Sequence, residues 1–467
     1  MTNVLSVTSE CVPLVKTGGL ADVAGALPSA LAPLGIEMKV LLPGYRDVLA
    51  AVKGQEVAKL SKGQRLLAAD HAGLSLLILD APDLFDRDGS PYLTPEGFDW
   101  PDNPLRFAAL SKAASAIAGG AIKAWVPDMV HCHDWQAGLA PYYIRAKGLP
   151  TKTVMTIHNI AFQGISPPEM LKDLDLNPKD FTADGLEYFG NISTLKAGLV
   201  YADQITTVSP TYARELMMPE FGMGLDGLLR HRRNKLTGIL NGIDPQAWSP
   251  ATDPHIKPYT TPAGKRANKT ALRKLFKLKK SDGPLCVVIS RLTEQKGLDL
   301  LLDALPALLE RDGQLVLLGS GDPSLEHAFL KASGHPNVAV RIGYDEPLSH
   351  KMMAGADAIL VPSRFEPCGL TQLYGLAYGT LPLVALTGGL ADTVITANPV
   401  ALSKPVATGL NFHPITAESL RNALVTLCTL YADPKLWAKL QRNAMSQPVD
   451  WAGSAQRYAS LYGDLTE

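Results

Sequence analysis

Short, nearly uninterrupted apolar runs recur along this chain. Each is followed by glycine, proline or polar residues and then by a longer helix-like stretch. In the first half they fall at residues 3–8, 37–42, 74–80, 128–133, 152–157 and 203–208. In the second half they fall at 285–290, 314–319, 338–343, 357–362 and 381–386, with helical stretches such as 297–311 and 370–378 between them. A strand that alternates apolar and polar residues buries one face, whereas a continuous run suits a parallel sheet covered on both. Parallel strands need crossover connections, and the spacing leaves room for helices. The pattern therefore predicts an α/β fold. At roughly 100–200 residues per domain, 467 residues suggest two or three domains.

One internal echo sharpens this. TGGLADV at 17–23 and TGGLADTV at 387–394 share six consecutive residues. In both places an apolar strand leads into a Gly-Gly turn and then a helix. This points to two doubly wound domains, each presenting a glycine loop at a helix N-terminus. No fixed period of the kind that builds a solenoid appears. The stretch 250–284 divides the halves. Its acid-free basic run, Lys265–Lys280, reads as a solvated amphipathic helix, with a polyanion site as the alternative.

Composition excludes several classes of function. Lys+Arg total 44 and Asp+Glu 45, a net charge of −1, which argues against bulk nucleic acid or an anionic membrane as the main partner. The 46% hydrophobic fraction is ample for large cores. No apolar run approaches the ~18 residues of a membrane span, and the N-terminus lacks the basic and apolar regions of a signal peptide. Cys11, Cys132, Cys286, Cys368 and Cys428 are odd in number and never paired as CxxC, so neither a disulfide framework nor a structural zinc site is indicated. A cytoplasmic protein is expected.

Four clusters carry chemistry. Lys16-Thr17-Gly18-Gly19 sets a cation beside a loop whose amides can approach a ligand, fit for a phosphate or a polar sugar ring; a plain βα turn reads equally well. Neither a P-loop nor a GxGxxG fingerprint is present, since Gly319-Ser320-Gly321 lacks the third glycine, so a nicotinamide cofactor is weakly supported. Arg291 and Lys296 follow a strand directly, where open sheets bind ligands, and can neutralise a diphosphate. Glu366 precedes a helix start at Gly369–Thr371 whose free amides can take phosphate oxygens while the carboxylate faces sugar hydroxyls. His131, His133 and Asp134 end one strand and His158-Asn159 another. HxHD invites a metal, but a third ligand is not evident, and Asp134 and His158 read better as polar groups at a cleft.

Taken in order, KTGGLADV, HCHDWQAG, TIHNIAFQG, VSPTYARE, NGIDPQAWSP, SRLTEQKG, IGYDE, PSRFEPCGLTQLYG and TGGLADTV resemble the bacterial glycogen synthase and plant starch synthase family. The resemblance runs from about residue 3 to the C-terminus. It implies two Rossmann-like doubly wound parallel-sheet domains facing across a deep cleft, the glycosyltransferase-B architecture. Residues 1–242 would form the acceptor-side domain and 243–450 the nucleotide-sugar domain, with 451–467 a helix packing back on the first. It implies retaining transfer of glucose from ADP-glucose to the non-reducing end of an α-1,4-glucan, with no metal and no other cofactor.

Carried over by motif, Lys16, Gly18, Gly19 and Asp22 would serve the donor phosphates and glucose. Arg291 and Lys296 would hold the diphosphate, and Tyr344 would stack near adenine. Glu366 would sit at the donor glucose with Cys368, Gly369, Leu370 and Thr371 close by. His158 and Asp134 would line the reacting centre, and Asn241 would face the cleft. One position departs, since Cys11 replaces an ordinary apolar residue; Tyr374 stands where related retaining enzymes often carry a second Glu, as expected for this family. A paired-carboxylate scheme therefore lacks support, and front-face attack is expected. Alternatives are a UDP-glucose or sucrose-type synthase, a non-catalytic glucan-binding protein, and a nicotinamide dehydrogenase.

Overall fold

A computed structural model describes residues 2–61 and 63–466. The chain forms two compact units: the first runs to Asn241 and takes the chain back from Trp451, and the second is Gly242–Asp450.

The first unit is built on β1 (Thr2–Val7), β2 (Ile36–Pro43), β3 (Gln55–Ser61), β4 (Gln64–His71), β5 (Leu74–Asp80), β6 (Met129–His133) and β7 (Lys152–Ile157). A small side sheet contains β8 (Ile165–Ser166), β9 (Glu187–Tyr188) and β10 (Asn191–Ser193), and β11 (Gln204–Thr207) and β12 (Leu236–Gly238) complete the main sheet. The main-sheet order is β12-β11-β7-β6-β1-β2-β5-β4-β3. Its central strands are parallel, and all five residues of β6 are buried, as a continuous apolar run requires. The edge departs from the all-parallel expectation, because β3 and β4 pair antiparallel and β4 pairs antiparallel with β5. β3 is mostly exposed, so its sequence (QEVAKLS) carries no buried-strand signature.

Helix Gly19–Leu31 buries Leu20, Val23, Ala24, Leu27 and Leu31, the spacing of one helical face. Val23, Leu27 and Leu31 share a core with Trp451, Ala455, Tyr458, Leu461 and Tyr462 of the C-terminal segment, whose helix is Ala452–Thr466.

The second unit holds β13 (Leu285–Ile289), β14 (Gln314–Gly319), β15 (Val338–Ile342), β16 (Ala358–Val361), β17 (Leu381–Ala385) and β18 (Leu410–Phe412). All pair in parallel, in the order β15-β14-β13-β16-β17-β18. Tyr374 stacks on Trp248, which in turn stacks on His350, with 3.8 Å between ring centroids in each pair. Among the described residues no helix is long and apolar enough to cross a membrane, and all five cysteines are buried free thiols.

The basic run contains helix Lys265–Leu275, but Lys265 is not solvated as expected. Its ammonium is buried and reaches the Met353 carbonyl at 3.1 Å, the Tyr378 carbonyl at 2.9 Å, Thr380 Oγ1 at 2.7 Å and Tyr259 Oη at 3.3 Å. Two of these carbonyls lie in the last turns of helices Glu346–Gly355 and Thr371–Tyr378, where acceptors lack intrahelical partners. Burial pushes its pKa down to about 7. Lys265→Met leaves the Tyr378 carbonyl with the Tyr259 hydroxyl and the Met353 carbonyl with the Thr380 hydroxyl, but removes the cation that joins them, and should cost roughly 1–3 kcal/mol, read as a lower denaturant midpoint. An unchanged midpoint would contradict this role.

Candidate active site

In the first unit the strand order reverses at β1, which has β2 on one side and β6 on the other. Loops leaving β1, β6 and β7 at their C-terminal ends carry the predicted residues, the position where open α/β sheets bind ligands. After β1, Lys16, Thr17, Gly18 and Gly19 are exposed, and Lys16 Nζ pairs with Asp22 Oδ1 at 2.8 Å across the first helical turn. The Gly18 amide is engaged by the Glu10 carboxylate at 3.1 Å. Glu10 has no motif signal in the sequence.

Asp134 ends β6 with φ +52°, a conformation rarely taken outside glycine, which stores strain of about 1–3 kcal/mol. Its Oδ1 accepts the His158 amide at 2.7 Å and the Asn159 amide at 3.4 Å, tying β6 to β7. Burial outweighs these donors and raises the carboxyl from 3.8 to about 7. His158 Nε2 meets His133 Nδ1 at 3.0 Å, and His133 Nε2 meets Ser6 Oγ at 3.1 Å. His131 bonds Tyr462 Oη at 2.7 Å and Thr156 Oγ1 at 2.5 Å. Burial lowers His131 and His158 to about 3 and holds His133 well below its ordinary value. The three rings are therefore neutral near pH 7, and each has one donor and one acceptor nitrogen. Their partners are hydroxyls and each other. Among the described residues no group of three or more His, Cys, Asp or Glu is placed to hold a metal ion. Asn241 is buried, and its Oδ1 has no hydrogen-bond partner among the described residues.

In the second unit the order reverses at β13, between β14 and β16. The loops after β13 and β16 are joined by several bonds. Lys296 Nζ donates to Glu366 Oε2 at 2.6 Å, and Ser363 Oγ donates to the same oxygen at 2.9 Å. The Arg364 amide donates to the Gln295 carbonyl at 2.8 Å, and its guanidinium forks onto Asp299 at 2.7 and 2.6 Å. That fork fixes the loop on helix Leu298–Leu309. Arg291, which follows β13, is exposed. Cys368 is buried, Gly369 takes φ +73°, and Leu370 is the N-cap of the helix opened by Thr371, with no side-chain cap on its first amides. Tyr344 follows β15, is 77% exposed, and donates from its hydroxyl to Glu346 at 2.8 Å.

The second TGGLAD copy has a different fate. Thr387, Gly388 and Gly389 are buried, and the Gly389 amide bonds the Glu366 carbonyl at 3.1 Å. A Cβ on Gly388, at φ +45°, would lie 1.9 Å from that carbonyl oxygen. This copy backs the Glu366 loop rather than presenting an open glycine turn. The structure thus joins Lys16 with Asp22, Asp134 with His158, and Lys296 with Glu366. Sequence reading missed Glu10, Ser6, Ser363 and Asp299, and gave His133 no role. Their importance comes from the partners the fold gives them and not from a motif.

Because the folded Asp134 carboxyl binds its proton more tightly than the unfolded one, its ionisation works against folding as pH rises from about 4 to 7. Asp134→Asn removes this term. Its stability relative to the unsubstituted protein should therefore improve by roughly 1–3 kcal/mol between about pH 5 and pH 8, measured by calorimetry. A difference independent of pH would contradict the assignment.

Residues 3–231 match the family described as the starch synthase catalytic domain, and residues 283–429 match glycosyl transferases group 1. The chain is 61% identical to a glycogen synthase of Jannaschia sp. (strain CCS1) and 60% identical to one of Paracoccus denitrificans (strain Pd 1222), covering 99% of each chain in both cases. The solved catalytic domain of starch synthase IV from Arabidopsis thaliana, bound to ADP and acarbose, is 31% identical. It superposes with a TM-score of 0.89, covering 100% of this chain and 99% of that one. A sucrose-phosphate synthase from Thermosynechococcus elongatus, 19% identical with a TM-score of 0.62, shares the fold. With the two parallel-sheet units already described, these matches establish that the chain belongs to the glycogen and starch synthase family of glycosyltransferases.

Proposed function

We propose that this chain transfers glucose from ADP-glucose to the non-reducing end of an α-1,4-glucan, retains the anomeric configuration, releases ADP, and needs neither a metal nor another cofactor. The observation that carries this reading is the Lys296–Glu366–Ser363 cluster at the strand reversal of the second unit, where Arg291 also follows β13 and a helix starts at Thr371 without a side-chain cap from Leu370. The starch synthase IV relative that binds ADP and acarbose supports it.

Departure of ADP builds negative charge on the β-phosphate, and preorganised donors that meet this charge lower the barrier. In this reading Arg291, Lys296 and the amides of Gly369–Thr371 take the diphosphate, Tyr344 meets the adenine, and Cys368 and Leu370 shape the pocket. Glu366, held by Lys296 and Ser363, positions the donor glucose and stabilises positive charge at its anomeric carbon. Lys16, with Gly18, Gly19 and Asp22, meets the donor phosphates and glucose, while Asp134, His158 and Asn241 line the reacting centre and acceptor. The anomeric carbon loses its bond to the β-phosphate oxygen and gains one to the acceptor 4-oxygen on the same face. The hydroxyl proton passes to the leaving phosphate. A double displacement would need a carboxylate nucleophile near the anomeric carbon, in a pair about 5 Å apart. Tyr374, which stacks on Trp248, carries no carboxylate and so does not supply that nucleophile.

The test is incorporation of labelled glucose from ADP-glucose into glycogen, with and without a chelator. Equal incorporation in both, well above that from UDP-glucose, is expected. No incorporation would overturn the reading, and loss on chelation would overturn the metal-free part. Glu366→Gln should lower kcat by roughly 100-fold or more. Activity near that of the unsubstituted protein would remove Glu366 from the reacting centre.

A further inference from the structure

The exposed Lys16–Gly19 loop has little packing to hold it. Apart from Gly18 and its chain neighbours, no atom of the described residues lies within 4 Å of where a Gly18 Cβ would stand, and Thr17, Gly18 and Gly19 are all exposed. The following helix, Gly19–Leu31, has no side-chain cap. Such a loop would ordinarily sample many backbone conformations. One buried side chain prevents this. Glu10, 3% exposed, turns its carboxylate onto the loop from the end of β1. Oε2 accepts the amides of Thr17 and Gly18, the latter at 3.1 Å. Oε1 accepts Thr17 Oγ1 at 2.6 Å and the Tyr92 hydroxyl, which also bonds Ser9 Oγ at 2.8 Å. Four donors fill the acceptor sites of one carboxylate, and charged hydrogen bonds are the strong ones.

The second TGGLAD copy is an internal control. There the glycines are wedged against the backbone of Glu366 and Cys368. Within the same six residues, the glycines are buried and close-packed in one unit, and in the other they are exposed and the loop is met by a buried acid.

We propose that Glu10 is the positioning residue of the Lys16–Gly19 loop, setting it for the donor sugar-nucleotide by taking the Thr17 and Gly18 amides for itself. The Lys16 ammonium and the amides of Gly19 and Leu20, which have no acceptor among the described residues, are then the loop's contribution to an incoming anion. Glu10 acts through the loop and does not touch the substrate. The inference rests on the reading that this loop meets the donor, and the experiment separates the two.

Glu10→Gln keeps the side-chain volume but cannot accept all four bonds. Its kcat/KM for ADP-glucose should fall by roughly 10–100-fold, with the acceptor KM little changed. Amide hydrogen exchange across residues 11–20 should quicken while the rest of the first unit keeps its protection. Exchange or kcat/KM within about twofold of the unsubstituted protein would overturn the proposal, provided Lys16→Ala measured alongside is impaired. If Lys16→Ala is itself unimpaired, the donor reading of the loop fails and the proposal fails with it. Should Glu10→Gln not fold, Thr17→Val decides: removing one of the four donors should lower donor kcat/KM several-fold, and no change would overturn the proposal.

Discussion

In each unit the strand order reverses beside the first strand of the sheet, so the loops leaving neighbouring strands there diverge. That topological constraint opens a gap at the C-terminal edge of each sheet, and the polar side chains of the candidate site are anchored around it. β1, β6 and β7 deliver Glu10, Asp134 and His158, and β13 and β16 deliver Lys296 and Glu366. Residues far apart in sequence become hydrogen-bond partners because the strands bearing them are neighbours, as with His133 and His158 or Lys296 and Glu366.

Several charged groups assigned to substrate are already paired within their own unit. Lys16 holds Asp22, and Lys296 holds Glu366. Pairing keeps long cationic side chains ordered and lowers the cost of holding them partly buried. In the proposed reading an arriving diphosphate takes a share of Lys296 that Glu366 now holds, so donor binding and the setting of Glu366 are linked. Beneath the first-unit site, His131 and His133 are buried and held by hydroxyls, and His133 bonds the partly buried His158 directly. All three are neutral, so His158 rests on a stack that keeps its charge state across the ordinary pH range.

The central strands were legible in the sequence because burial on both faces leaves continuous apolar runs, as in β1, β6, β7, β13 and β16. The β3–β4 hairpin was not, since an exposed edge needs no such run, and β12 and β18 are too short to leave a pattern. Lys16, Arg291, Lys296 and Glu366 stood out as charges at strand ends. Glu10 and Lys265 did not, because a buried charge is explained only by its partners, and those come from Tyr92 in one case and Met353 and Tyr378 in the other. The repeated TGGLAD was read as two equivalent glycine loops. Its two environments, one open and one packed on Glu366, show that six identical residues do not determine a role without their surroundings.

The central claim is that the strand reversal of the second unit takes the nucleotide diphosphate. Titration calorimetry of ADP against the unsubstituted protein, Arg291→Ala and Lys296→Ala tests it directly. The account predicts affinity lower by roughly 10-fold or more in each variant, as loss of a charged contact to phosphate should give. ADP affinity unchanged in both would contradict it.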